Sequence, residues 1–249
     1  AFERLSTGKR INSASDDAAG LAIATDLNSR VSGLNQAVRN VNDGISMVQI
    51  VEGTYDEVTS ILQRMRDMAV QAANGSLTST EQGYLETEQT ALQTALGEAL
   101  NQATFGSTNL YVGSSASIVA ISIQAGANTG DAVSINLTSA GVANASGLGI
   151  TAIDLSSAAS AAIGLVDTAL TSVATQRAQL GAYQAQLEST VRNLSNVAEN
   201  TAAAAGRIMD TDYAAETANL TKAQILQQAA TSVLAQANAQ PQAVLSLLQ

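Results

Sequence analysis

The 249-residue chain contains no cysteine and no histidine. Without cysteine there are no disulfides and no thiolate metal sites. Without histidine, the usual zinc chemistry and imidazole acid–base catalysis fall away, and no serine has the base that most often activates it. Two lysines, Lys9 and Lys222, leave a Ser–Lys pair as the remaining nucleophile–base arrangement. Tryptophan is absent, aromatic residues make up 3% of the chain and charged residues 13%. Ala, Ser, Thr, Gln and Asn dominate instead. Such side chains let helices approach closely but bury little area each, so stability comes from many modest contacts. Basic residues are outnumbered, giving a net charge of −10. That balance argues against nucleic acid as the main partner and against attraction to anionic lipid. Hydrophobic residues still reach 46%, enough for one or two domains with a sizeable core.

Proline occurs once, at Pro241, so helices can run long. From Leu27 the apolar positions are Leu27, Val31, Leu34, Val38, Val41, Ile45 and Val48, spaced alternately four and three apart. This is a coiled-coil seam. It resumes as Val51, Tyr55, Val58, Leu62, Met65 and Ala69, with a phase shift beside Gly53. Asn74-Gly75 reads as a helix C-cap. A single helix from Asp16 to Asn74 would be roughly 90 Å long at about 1.5 Å per residue. A compact globule of this chain length has a radius of gyration of only about 18 Å, so an elongated rod is expected.

A second helix fits Ser79 to about Asn101. Thr78 and Glu81 have capping-box spacing, and Leu85, Leu92, Leu96 and Ala99 supply its inner face. A third helical region carries the seam Val166, Leu170, Val173, Arg177, Leu180, Gln184, Leu187, Val191, Leu194, Ala198, Thr201, Ala205 and Ile208. Arg177 and Gln184 are polar exceptions suited to setting register against a partner helix. The first and third regions, both seams, are expected to pair antiparallel. From Phe105 to about Ala152 the chain is rich in Gly, Ser, Ala and Val. There "SIVAISIQAG" and "DAVSINLTSA" alternate around the turn "AGANTG", a β-hairpin with room for one further short strand. The fold class is mainly α: long antiparallel coiled-coil helices with a small β-hairpin region. The segments are 1–15 leading in, 16–104, 105–155 with the hairpin, 156–209, and 210–249 as a tail.

Candidate chemistry is sparse. Asp16 and Asp17 are adjacent and do not face each other on a helix. Ser13 and Asp16 have capping-box spacing, which reads as a helix start. Glu86 and Glu88 lie two apart and diverge, where metal binding needs convergent oxygens. "GANTG" matches neither phosphate-loop pattern. These residues give no catalytic, cofactor or metal site, and the chain reads as a non-enzyme.

The tail is the remaining signal. After Lys222 there is no charged side chain, yet Ile225, Leu226, Val233, Leu234, Val244, Leu245, Leu247 and Leu248 are present. Ile225, Ala229, Val233 and Ala237 form one stripe; Leu226, Ala230 and Leu234 form its neighbour. Gln, Asn, Ser and Thr take 11 of the last 27 positions, so the tail is not a membrane span. Burying eight large side chains does not cover the entropy of ordering the tail. It needs a partner surface, and the lack of Lys and Arg beyond Lys222 makes that surface protein rather than membrane.

Several blocks carry a family resemblance. "RLSTGKRINSASDDAAGLAIATDL", "VRNVNDGISMVQIVEG" and "ILQRMRDMAVQAANG" resemble the start of bacterial flagellins. "LGAYQAQLESTVRNLSNVAEN" and "DTDYAAETANLTKAQILQQAATSVLAQANAQPQAVLSLLQ" resemble their end. The resemblance covers roughly Arg4 to Tyr111 and Leu180 to Gln249. It implies a filament subunit of the extracellular bacterial flagellum, self-assembling into a helical homo-oligomer. Under that resemblance the eight tail residues make subunit contacts, no cofactor is used, and a secretion chaperone and the flagellar cap and junction proteins are partners. Two alternatives are a flagellin-like surface protein binding carbohydrate or host tissue, and a flagellar junction protein.

The resemblance also implies recognition by Toll-like receptor 5 through Arg64, Met68 and Glu88. Arg64 and Met68 are four apart and outside the Leu62, Met65, Ala69 seam, so both are expected at the surface. Three departures stand out. "AFERLSTGKR" lacks an initiator Met and reads like the middle of a helix, so a preceding helix is expected to be missing. "TAAAAGRIMD" replaces a Ser- and Arg-bearing stretch, and the outer region is short.

Overall fold

The computed structural model describes residues 2–111, 119–138 and 145–246, with side chains left undescribed at 119, 138 and 238–246. Its elements are helix α1 (Phe2–Thr7), α2 (Ala18–Ala72), α3 (Ser79–Gln102), strands β1 (Thr104–Phe105), β2 (Thr108–Asn109), β3 (Val119–Gln124) and β4 (Ala132–Thr138), a 3-10 turn at Ile150–Ala152, and helices α4 (Ala159–Met209) and α5 (Tyr213–Ser246). The fold is mainly α with two small antiparallel hairpins, as the seams and alternation imply. The chain divides into two units, residues 33–197 and residues 1–32 with 198–249.

In the first unit α2 and α4 run antiparallel. Arg66 pairs with Asp167 at 2.7 Å, and Asp56 with Arg177 at 2.7 Å. Ten residues back along α2 therefore match ten residues forward along α4. Arg177, the polar break in the α4 seam, thus sets register as its position implied. Gln184 does not: its amide donates to Glu188 on its own helix, at 3.2 Å. Both seams are buried or half-buried throughout this unit.

Beyond Gly53 a second stripe of α2 is also buried: Ile61, Met65, Met68 and Ala72, spaced four, three, four. These residues share one core with Leu96 and Leu100 of α3. α3 starts at the expected capping box, with Glu81 N–H donating to Thr78 Oγ1 and Thr78 N–H to Glu81 Oε2. The end of α2 differs from expectation. The helix stops at Ala72, and Gly75 does not adopt the left-handed conformation of a glycine cap. Instead Gln82 of α3 donates its Nε2 to the free carbonyl of Ala72 at 3.2 Å.

The hairpin β3–β4 pairs Ala120 with Asn136 through to Gln124 with Ala132, with an irregularity at Val119/Ala120. Ile123, Ile135 and Leu137 face the core while Ser122 and Ser134 face out, the alternation read from the sequence. Gln176 of α4, buried, donates to the Leu137 carbonyl at 3.2 Å and fastens β4 to the helix. The further strand foreseen is in fact a separate hairpin, β1–β2, turning at Gly106 (φ +62). It leads to Tyr111, whose ring meets that of Tyr55 edge-on at 5.6 Å and whose hydroxyl donates to the Val51 carbonyl at 3.3 Å.

In the second unit, α1 ends at Gly8 (φ +71), and residues 8–10 run beside 208–211. Arg10 N–H donates to Met209 O at 2.6 Å, Thr211 N–H to Gly8 O at 3.0 Å, and Arg10 Nη2 to Ile208 O at 2.9 Å. Helix α2 is capped by Asp17, which accepts Gly20 N–H at 2.9 Å. The start expected at Ser13 and Asp16 is therefore displaced. Asp16 instead gathers the N–H groups of Asn12 and Ser13, each at 3.0 Å, and ties the approach to the helix.

Candidate functional site

Asp212 caps α5 by accepting the N–H groups of Ala214 and Ala215 at 2.9 and 3.2 Å. A carboxylate at this end also suits the helix dipole. From there the helix carries the uncharged stripe into solvent. Ile225 is 60% exposed, Leu226 59%, Val233 67% and Leu234 62%. Four large aliphatics, two pairs about two turns apart on one helix, form an apolar face that this chain leaves uncovered. Ala214, Thr217, Ala218, Thr221 and Lys222 continue it as a shallow hollow toward the cap. Val244 and Leu245 lie on the last described turn, with their side chains outside the described residues; Leu247 and Leu248 lie outside them altogether.

A second surface lies on α2 and α3. Arg64 Nε and Nη2 both donate to Glu88 Oε1, at 3.0 and 2.6 Å, with both side chains substantially exposed. Met68 does not join them. It is 1% exposed, because α3 covers the stripe from Ile61 to Ala72 on which it sits. The expectation that Met68 reaches solvent is corrected: lying outside the α4-facing seam placed it in a second seam rather than at the surface.

Two features escaped the sequence reading. One is the backbone clasp between residues 8–10 and 208–211, which joins segments far apart in sequence and has no side-chain signature. The other is Gln89. It is 0% exposed, and neither atom of its amide has a hydrogen-bond partner. Gln89 stands four after Leu85 and three before Leu92, and its seam spacing was the available signal. Among the described residues no group of three or more carboxylates could hold a metal ion, and no described helix is long and apolar enough to cross a membrane.

The geometry defines an α-helical subunit with an uncovered helical face, and comparison with known proteins gives its family. Residues 1–116 match the bacterial flagellin N-terminal helical region and residues 163–248 the bacterial flagellin C-terminal helical region. The chain is 42% identical to a flagellin of Halalkalibacterium halodurans over all of its own length and 91% of the relative's. It is 38% identical to flagellin FlaB2 of Treponema pallidum, again over its whole length and 91% of the relative's. Its structure resembles the crystal structure of Bacillus cereus flagellin with a TM-score of 0.54 and 25% identity, covering 67% of this chain and 94% of that one. This chain belongs to the bacterial flagellin family.

Proposed function

We propose that the chain is the repeating structural subunit of a bacterial flagellar filament. Copies associate through helical faces into a homo-oligomer outside the cell. The observation that carries this reading is the exposed aliphatic stripe Ile225, Leu226, Val233 and Leu234 on a helix that holds no charged residue after Lys222. Covering such a face with further copies is what filament assembly accomplishes. Val244, Leu245, Leu247 and Leu248 contribute to subunit assembly in this reading. The segments 1–15 and 210–249 serve assembly, 16–104 and 156–209 supply the helical framework, and 105–155 carries the hairpins. The subunit acts by its shape and contacts, not as an enzyme.

Before export, a secretion chaperone shields the α5 stripe, and the cap and junction proteins meet the ends of the filament. Recognition by Toll-like receptor 5 rests here on Arg64 and Glu88, whose exposed pair presents a fixed guanidinium of the kind that anchors interfaces; Met68 supports that surface from beneath. Deleting Ala223–Gln249 tests the assembly reading. Circular dichroism of the truncated chain should retain the signal of α2–α4, while electron microscopy shows no filaments. Filaments of normal length from the truncated chain would overturn it.

A further inference from the structure

The loop between α2 and α3 holds an Asn-Gly pair that forms no glycine cap, and its geometry suits a different chemistry. Asn74 and Gly75 are exposed, in the turn between Ala72 and Ser79. Three features converge. First, the Gly75 N–H makes no hydrogen bond among the described residues, so the nitrogen next to the Asn74 side chain is free to react. Second, space around Gly75 is open: a Cβ built there would meet nothing within 4 Å. Third, Asn74 Oδ1 accepts the N–H of Ser76 at 3.3 Å. This Asx-type turn holds the amide carbon over the following backbone. It also aims a donor at the oxygen that would gain charge if that carbon were attacked, as an oxyanion-stabilising group does.

We propose that Asn74 is a site of spontaneous deamidation in the folded chain. The Gly75 nitrogen gives up its proton to hydroxide and attacks Asn74 Cγ. A C–N bond forms, the Cγ–Nδ2 bond breaks, and Nδ2 leaves as ammonia after taking a proton from water. The product is a five-membered succinimide. Water then opens the ring. Attack at Cγ gives aspartate; attack at the main-chain carbonyl gives isoaspartate, in which the chain runs through the side chain. No oxidant, metal or enzyme enters.

Among the asparagines of the described residues, the surrounding structure makes this position selective. Asparagines within the helices are followed by N–H groups engaged in helical hydrogen bonds. After Asn12, the Ser13 N–H is held by Asp16, and after Asn109 the Leu110 N–H is held by the Ala103 carbonyl at 2.9 Å. Asn136 lies in a paired strand. Asn128 precedes Thr129, whose branched Cβ crowds the nitrogen.

The product changes the fold locally. A carboxylate at residue 74 sits just past the carbonyl end of α2, where the dipole disfavours negative charge. The isoaspartate form adds a methylene to the main chain of a turn whose far side holds Ala72 through Gln82.

The test is peptide mapping by mass spectrometry of the purified full chain, aged in its folded state at neutral and at alkaline pH. Asn74 should convert before any other asparagine of the described residues, faster at alkaline pH, into a mixture of aspartate and isoaspartate. Gly75→Ala fits the open space without positive-φ strain. It should leave the circular dichroism unchanged and slow conversion to the level of the helical asparagines. Retention of the Asn74 amide while others convert, conversion only after denaturation, or an unchanged rate in Gly75→Ala would overturn the proposal.

Discussion

Ile123 of the hairpin occupies the space that a side chain on Gly44 of α2 would need. A Cβ built on Gly44 would collide with Ile123 Cδ1 and stand 3.7 Å from Leu187 Cδ1. The missing side chain in mid-helix is thus what lets β3 lie on the α2–α4 pair. Helix propensity alone would favour alanine at this position by about 1 kcal/mol. Packing opposes it, because Ile123 is buried and its Cδ1 would have to find another position within the core.

This relationship gives a paired prediction. Gly44→Ala overpacks the core, at a cost of about 1–3 kcal/mol that outweighs the propensity gain. Gly53→Ala, on the same helix with nothing within 4 Å, receives only the gain of about 1 kcal/mol. Urea unfolding of the two variants should move in opposite directions. A stabilised Gly44→Ala would contradict the packing account.

Gln89 predicts a stabilising substitution. Its amide is buried without partners, so replacing it with leucine removes a desolvation cost of about 1–3 kcal/mol. The thermal midpoint of Gln89→Leu should rise. A fall would mean that the amide is satisfied in solution.

Arg64 and Met68 should separate by stability. Met68→Ala opens a cavity beneath α3 and should cost about 2–5 kcal/mol. Arg64→Ala loses an exposed pair worth about 1 kcal/mol or less. Receptor-bearing reporter cells given soluble monomer should lose most of their response with Arg64→Ala although the variant stays folded. A full response would detach Arg64 from recognition.

Acid should loosen the turns that precede α2 and α4 before it unfolds the helices. The backbone N–H groups of Ser13 and Asn12 hold the Asp16 carboxyl below its ordinary range. The hydroxyls of Ser157 and Ser156, with their N–H groups, do the same to Asp154. Folding favours the ionised form of each. The stabilisation is therefore complete above the unfolded pKa of about 3.9 and disappears as pH falls through the lower folded values. Hydrogen exchange at residues 12–17 and 154–158 should accelerate over that acid range. Asp154→Asn should flatten the dependence in the second turn.

Much of the helical framework was legible in the sequence because a heptad seam is a local, repeated signal. Val41, Val48, Val51, Tyr55, Val58, Leu62 and Met65 are all buried as their spacing requires. The capping box at Thr78 and the alternation of β3 and β4 were legible for the same reason: each depends on residues near one another in the chain. The α5 stripe was readable too, since apolar residues without charge declare a face needing cover.

What the sequence by itself determined is therefore periodicity: which residues are helical, which face is apolar and where the hairpin turns. The tertiary structure decided how many neighbours each helix has. α2 turns one seam to α4, but beyond Gly53 it has a second, under α3, and that placed Met68 inside rather than out. It also decided that Asp17 rather than Ser13 caps α2, that Gln82 rather than Gly75 closes its end, and that Gln89 faces a core without a partner. The physical reason is that a periodic pattern fixes the angle at which a side chain leaves its helix, while burial depends on what the rest of the chain brings to that angle.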